Sequence, residues 1–215
     1  MIRQWLKFAG MCSVVIGIVI FCVIFGGYSS LHRSQQRIEA SKELVTNACQ
    51  SKLDLLSQLL NSLKNSEYQK KIPDLKQTGK NTNKILRQVI SQKTPLDKTL
   101  TLKFEASQEV LTSDLTKLFS QLDQSPDKSN AVGFQAHKKQ FSVAQNNLFA
   151  AKITYNKEVT YFNTRTKIFP GFLIAKLFGF NKIKYFKLSE NSFLPSRYND
   201  VQSTGSLFDN KKIKA

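Results

Sequence analysis

The sequence predicts an all-α protein: a single N-terminal transmembrane helix leading into a long up-and-down helical bundle of four helices, or of three with one kinked. Three observations predict this class. One uncharged apolar run stands near the N-terminus. Beyond it, apolar residues recur at intervals of three and four rather than two, the period of helices. Gly (9) and Pro (5) are sparse in 215 residues, which suits long helices better than many tight turns.

The apolar run is Phe8 to Tyr28 (FAGMCSVVIGIVIFCVIFGGY), 21 residues without a charge. At helical rise it covers roughly 30 Å, the thickness of a bilayer core. Trp5, Phe8 and Tyr28 are the expected membrane-anchor residues, with Trp5 and Tyr28 bracketing the span as interfacial aromatics. A cleaved signal peptide is the competing reading, because Arg3 and Lys7 make a positive flank. The run exceeds the usual signal core and no A-x-A-like site follows it, which favours a retained anchor. Residues 1–7 are then a flank, 8–28 the span and 29–169 the bundle. Arg3 and Lys7 on one side nearly balance Arg33, Arg37 and Lys42 on the other, leaning only slightly to a cytosolic bundle.

The first bundle helix follows without a Gly or Pro break, as an extension of the anchor. Its stripe is Ile38, Val45, Cys49, Leu53, Leu56, Leu60 and Leu63, interrupted by Lys42. Residues 64–83 are polar and contain Pro73 and Gly79, so they read as a connection. A short helix is expected over 84–93. Pro95 then opens a helix running to about 122 on Leu100, Phe104, Leu111, Leu115, Leu118 and Leu122. Asp123 to Asn130 is turn chemistry. The last long helix carries Phe134, His137, Phe141, Ala144, Leu148, Ala151, Tyr155, Phe162 and Phe169 on one register, and Pro170 ends it. Four long helices would return this last one toward the membrane; three would leave its end far away.

Residues 170–187 form an aromatic-basic segment. Phe169, Pro170, Phe172, Lys176, Phe178, Phe180, Lys182, Lys184, Tyr185 and Phe186 are its candidate residues. The stretch 169–180 is too short to span a bilayer. It can lie at a headgroup interface with lysines toward acidic lipid, or its aromatics can cap the bundle as ordinary core. Residues 188–215 read as a polar flexible tail.

The formal charge is +17, of which residues 29–215 carry +15 because Arg3 and Lys7 are the only charges before them. Such a balance favours acidic partners. The lysines are scattered and no recognised motif accompanies them, which argues against nucleic acid. Two histidines and three cysteines suggest neither a metal site nor a disulfide framework. Gly79-Lys80 lacks the rest of a phosphate loop, since Asp74 stands at the first glycine position and Asn81 follows the lysine. His137 and Cys49 lie on apolar stripes and read as core or edge residues. Asn156 and Asn163, seven apart beside Tyr155, read as polar groups that set bundle register or contact a partner.

Tyr155-Asn156, Val159, Asn163, Phe169-Pro170, Leu173, Ala175, Phe178-Gly179-Phe180 and Tyr185-Phe186 resemble the signature of the LemA family, YN..V..YN followed by FP..L.A..FGF and YF. Lys52-Leu53-Asp54-Leu55-Leu56 resembles that family's R-[YF]-DLIPNLV stretch. The resemblance runs from about residue 10 to 186. The chain departs from the pattern where Lys42 replaces Trp, Ser51-Lys52 a paired Arg, Ser57-Gln58 Pro-Asn, and Phe162 Tyr. The resemblance implies a helical protein of the bacterial inner (cytoplasmic) membrane without established catalytic activity.

These readings together predict a non-catalytic, membrane-anchored scaffold or assembly protein that associates with copies of itself. No cofactor is expected. The alternative is a peripheral modulator of anionic membranes acting through residues 169–187, and an anionic lipid or a protein is the expected partner.

Overall fold

A computed structural model describes residues 2–65, 67–124 and 128–188, with side chains over 10–64, 69–124 and 133–188. The first helix, α1 (Ile2–Ser62), runs unbroken for 61 residues, roughly 90 Å. The apolar run and the first bundle helix are therefore one rod. Its N-terminal part has a mean hydropathy of 2.5 over 18 residues, none of them buried, and is long and apolar enough to cross a membrane.

Two short 3-10 turns, Leu63–Asn65 and Glu67–Lys71, reverse the chain. The second helix, α2, spans Ile72–Ser91. This corrects the sequence reading, which left everything before 84 as a connection. Pro73 occupies the first turn, where its missing N–H has no helical partner to lose. Gly79 lies inside α2 and is buried; a Cβ there would stand 2.6 Å from Leu56 Cδ2. It is a packing glycine that brings α2 close to α1, not a breaker.

The third helix, α3 (Lys98–Asp123), begins three residues beyond Pro95, another correction. Its start is set by Asp97, whose carboxylate accepts from the backbone N–H of Thr99 (2.9 Å) and Leu100 (3.2 Å). An N-cap that satisfies orphan donors outranks proline's first-turn preference at this site. The fourth helix, α4 (Lys128–Arg165), ends before Phe169. The residue preceding proline disfavours helical backbone, and the chain unwinds through Thr166–Phe169. Phe169 is consequently 80% exposed rather than part of the stripe. A fifth, short helix, α5 (Gly171–Phe178), follows.

The contacts fix the topology. Gly79 meets Leu56 and Lys42 reaches Gln92, so α2 runs against α1. Gln108 bonds Cys49 and Thr112 bonds Lys52, so α3 runs with α1. Ser62 meets His137, Lys52 meets Gln145 and Arg37 meets Glu158, so α4 returns antiparallel to α1. Among the described residues the bundle has four long helices, up-down-up-down, and the last one does return toward the apolar end of α1. Its core is continuous from Leu31 to Leu59 on α1 and on to Leu63 in the turn that follows, met by Leu86 and Val89, Phe104 and Leu111, and Leu148 and Phe162 from α2 to α4. The polar tail predicted over 188–215 lies outside the described residues from 189 onward.

Candidate functional site

The C-terminal segment is the part of the structure with the most specific chemistry. After α5 the chain leaves helix and runs extended over residues 180–188, back along α4. Asn163 is 3% exposed and grips this strap at Ile183. Its Nδ2 donates to the Ile183 carbonyl at 2.9 Å, and its Oδ1 accepts from the Ile183 N–H at 2.9 Å. Asn156 does the same at Phe186: Nδ2 donates to the carbonyl and Oδ1 accepts from the N–H, both at 2.8 Å. Each side-chain amide substitutes for a neighbouring β-strand, satisfying a strand's donor and acceptor together.

The spacing has a geometric reason. Seven helical residues advance about 10.5 Å. Three extended residues advance about 10 Å. Two asparagines seven apart on α4 thus match residues 183 and 186 of a drawn-out, non-helical segment running the other way. Ile183 and Phe186 turn their side chains into the core, while Lys182, Lys184 and Tyr185 face outward. The Phe186 ring packs 4.6 Å from Tyr155 and 5.6 Å from Phe104. Tyr155 is buried, and burial pushes its hydroxyl above the usual tyrosine range, with Glu39 adding to the effect. The strap is also held at its end, where the Lys187 N–H donates to Glu105.

At the other end of the strap, α5 sits on the last turn of the apolar part of α1. Ile174 fills the space above Gly27; a Cβ on Gly27 would stand 2.0 Å from Ile174 Cδ1. Tyr28 packs against Phe178 at 4.7 Å and Phe180 at 5.8 Å, and Phe180 meets Phe162 edge-on at 6.2 Å. Pro170 is the N-cap of α5. Phe169, Phe172 and Phe178 remain exposed, as does Lys176. The segment therefore divides between the two sequence readings. Ile183 and Phe186 are core, Phe180 is half-buried against it, and the α5 aromatics look outward. The side chains of Trp5 and Phe8 lie outside the described residues, although their backbone is part of α1.

The asparagines thus act differently from the expectation that they set register between helices. Both are bonded to the strap of their own chain. Sequence spacing placed them on one face but could not show that residues 20 and 30 positions later return to it.

A buried polar layer in mid-bundle was not foreseen. Lys52 is 2% exposed; its Nζ donates to Thr112 Oγ1 and Gln145 Oε1, both at 2.7 Å. No carboxylate pairs with it among the described residues. Burial pulls its ammonium down to about 8, against a smaller opposing effect of Cys49. Lys152, also buried, is lowered for the same first reason, and Cys49 is pushed up by burial to about 11. Gln108 Nε2 bonds the Cys49 sulfur at 2.9 Å. The position of Lys52, three after Cys49 on the core stripe, was the available signal. Lys42, which interrupts the stripe, is buried as well; it donates to the Gln92 carbonyl at 2.6 Å and pairs with Glu39 at 2.5 Å. Burial would raise the Glu39 carboxyl, but Lys42 and Thr94 together hold it below the ordinary value. His137 is half-buried, its Nε2 3.2 Å from Ser62 Oγ, as an edge residue. No cluster of three or more metal-binding side chains is arranged to hold an ion among the described residues.

The sequence model of the LemA family matches residues 41–196, well over half of the chain. The chain belongs to the LemA family. A comparison with curated proteins returned no match. In this LemA protein, the signature residues between Tyr155 and Phe186 are the ones that build the strap and seat α5. One departure from the family pattern also acquires a role: Lys52, at a paired-Arg position, forms the centre of the buried polar layer.

Proposed function

We propose that this LemA protein is a membrane-anchored, non-catalytic scaffold that assembles with further copies of itself on the face shared by α1 and α4. One observation carries the reading. A groove of about 500 Å³ runs between these helices, floored by Ala48, Leu55, Val143 and Ala144. Leu44, half-exposed, extends it one turn toward the membrane. Leu44, Ala48 and Leu55 form a second stripe on α1, beside the one that builds the core, and Val143 and Ala144 face it from α4.

The occupant is a second copy, because the walls are complementary in charge. Asp54 lines the groove on α1 and Lys139 on α4. Since Ser62 meets His137 and Lys52 meets Gln145, these two stand within about two turns of the same height. A two-fold axis along the bundle puts each Asp54 near the other copy's Lys139, an isologous arrangement. That axis is also the one that two copies anchored in a single bilayer can share. The anchor, the long rods and the absence of a catalytic set in the sequence support a scaffold. The resemblance to an inner-membrane family supports a bacterial inner membrane, and the flanking charges, Arg3 and Lys7 against Arg33, Arg37 and Lys42, lean only slightly to a cytosolic bundle.

The test is photo-crosslinking of the full chain in nanodiscs from a photoreactive group at Val143. A covalent dimer is expected. Asp54→Lys should abolish it, and adding Lys139→Asp should restore it. A monodisperse monomer without crosslinks would refute the reading.

A further inference from the structure

Away from the α1–α4 groove, exposed large apolar side chains on the bundle stand singly, as Ile90, Leu102 and Val110 do. Isolated exposed residues of this kind are ordinary on soluble surfaces. Residues 168–178 are different: Ile168, Phe169, Phe172, Leu173, Leu177 and Phe178 are all exposed within one turn and one short helix. Contiguous exposure of that kind marks a surface that something covers.

The position of the patch says what covers it. Through Ile174 on Gly27 and Phe178 on Tyr28, α5 is fixed to the last turn of the 21-residue uncharged run. If that run spans a bilayer, Gly27 and Tyr28 mark where α1 leaves the hydrocarbon, and α5 lies at that height. The charge around it agrees. From Val159 to Ser189 the chain has no acidic residue, while Arg165, Lys167, Lys176, Lys182, Lys184 and Lys187 are all basic. Apolar side chains with lysines beside them suit the boundary between acyl chains and acidic headgroups.

We propose that α5 and the turn before it form a second membrane contact, an interfacial foot seated in the acidic headgroup layer of the bilayer that α1 crosses. The inference rests on α1 spanning that bilayer. The foot makes the attachment two-point. The strap held by Asn163 and Asn156 joins it to the core, so the bundle stands at a set orientation instead of swivelling about one helix. The occupant is lipid, because the patch is level with the end of the span and its surrounding charge is positive.

The chain has a single tryptophan, Trp5, so Trp5→Phe combined with Phe172→Trp places one fluorophore on the foot. The full chain is reconstituted in nanodiscs of phosphatidylcholine and phosphatidylglycerol, with and without brominated acyl chains. Emission from position 172 should be blue-shifted and quenched about twofold or more by the brominated lipid, as for a ring at the acyl boundary. A tryptophan at exposed Val110, far along α3, should be neither shifted nor quenched. Leu173→Glu with Leu177→Glu should restore the emission while the helical circular dichroism is unchanged. Lys176→Gln should weaken occupancy of the foot about fivefold in acidic discs and leave it unaltered in neutral ones. Unquenched emission from a chain that still floats with the lipid overturns the foot while leaving the anchor standing. A blue shift without quenching overturns it too, since that is burial against protein. Equal quenching in neutral and acidic discs removes the acidic headgroup. Extraction of the chain from vesicles by alkaline carbonate overturns the span, and the foot with it.

Discussion

Replacing Asn163 with alanine removes both hydrogen bonds that hold Ile183, leaving its N–H and carbonyl without partners in a buried site. A buried polar group deprived of its partner costs about 1–3 kcal/mol. Two such groups, partly relieved by water entering the loosened strap, give an expected cost of about 2–4 kcal/mol. Since a factor of ten corresponds to about 1.4 kcal/mol, the strap should open about 30- to 1000-fold more often. Amide exchange of the full chain, resolved at Ile183 and Phe186, reads this directly. The Ile183 amide should exchange faster by that factor. Phe186 keeps its own clamp on Asn156, so its response shows whether the strap opens as one unit. Equal acceleration at both amides means a single unit; acceleration at Ile183 alone means two independent clamps. Asn163→Asp should not rescue the strap: it keeps an acceptor for the N–H but sets a carboxylate against the Ile183 carbonyl. Exchange at Ile183 within about twofold of the unmodified protein would refute the clamp, because the expected penalty is far larger.

Three further outcomes follow from the same structure. Lys52 titrates near 8 when folded and near its ordinary value of 10.5 when unfolded, so the unfolded chain binds more protons between those values and stability rises with pH there. Cys49, raised from 9.0 to about 11, acts in the opposite sense above pH 9, so the clean window is pH 8 to 9. Urea unfolding should gain about 1 kcal/mol across it, and Lys52→Met should abolish the gain; a flat profile in the unmodified protein would mean that folded Lys52 keeps its proton through this window and would refute the lowered ammonium. Phe186→Ala empties the space between Tyr155 and Phe104 and should cost about 3–5 kcal/mol in denaturant unfolding, against under 1 for Tyr185→Ala on the outer face. Asp97→Ala removes the cap of α3 and should cost about 1 kcal/mol, with Asp97→Ser recovering most of it.

The α1 rod, the bundle class and most of its core were legible in the chain itself. An uncharged run of bilayer length and stripes recurring at three and four are local signals, set by helical geometry whatever the helices touch. The starts and stops were less legible. Pro73 and Gly79 read as breakers by propensity, yet one fits a first turn and the other packs on Leu56, which depends on a neighbour 23 residues away. Phe169 kept the helical register but fell beyond the end of α4, because the constraint from Pro170 acts one residue earlier than the ring itself.

The site divides in the same way. Sequence spacing placed Asn156 and Asn163 on one face and collected the aromatics and lysines of 169–187 into one segment. Only the tertiary fold decided that the asparagines hold this segment's own backbone, that Ile183 and Phe186 enter the core, and that α5 comes to rest on Gly27 and Tyr28. A helix periodicity records which side chains share a face. It carries no information about which distant segment will lie on that face, because the match between seven helical residues and three extended ones exists only once the chain has folded back on itself.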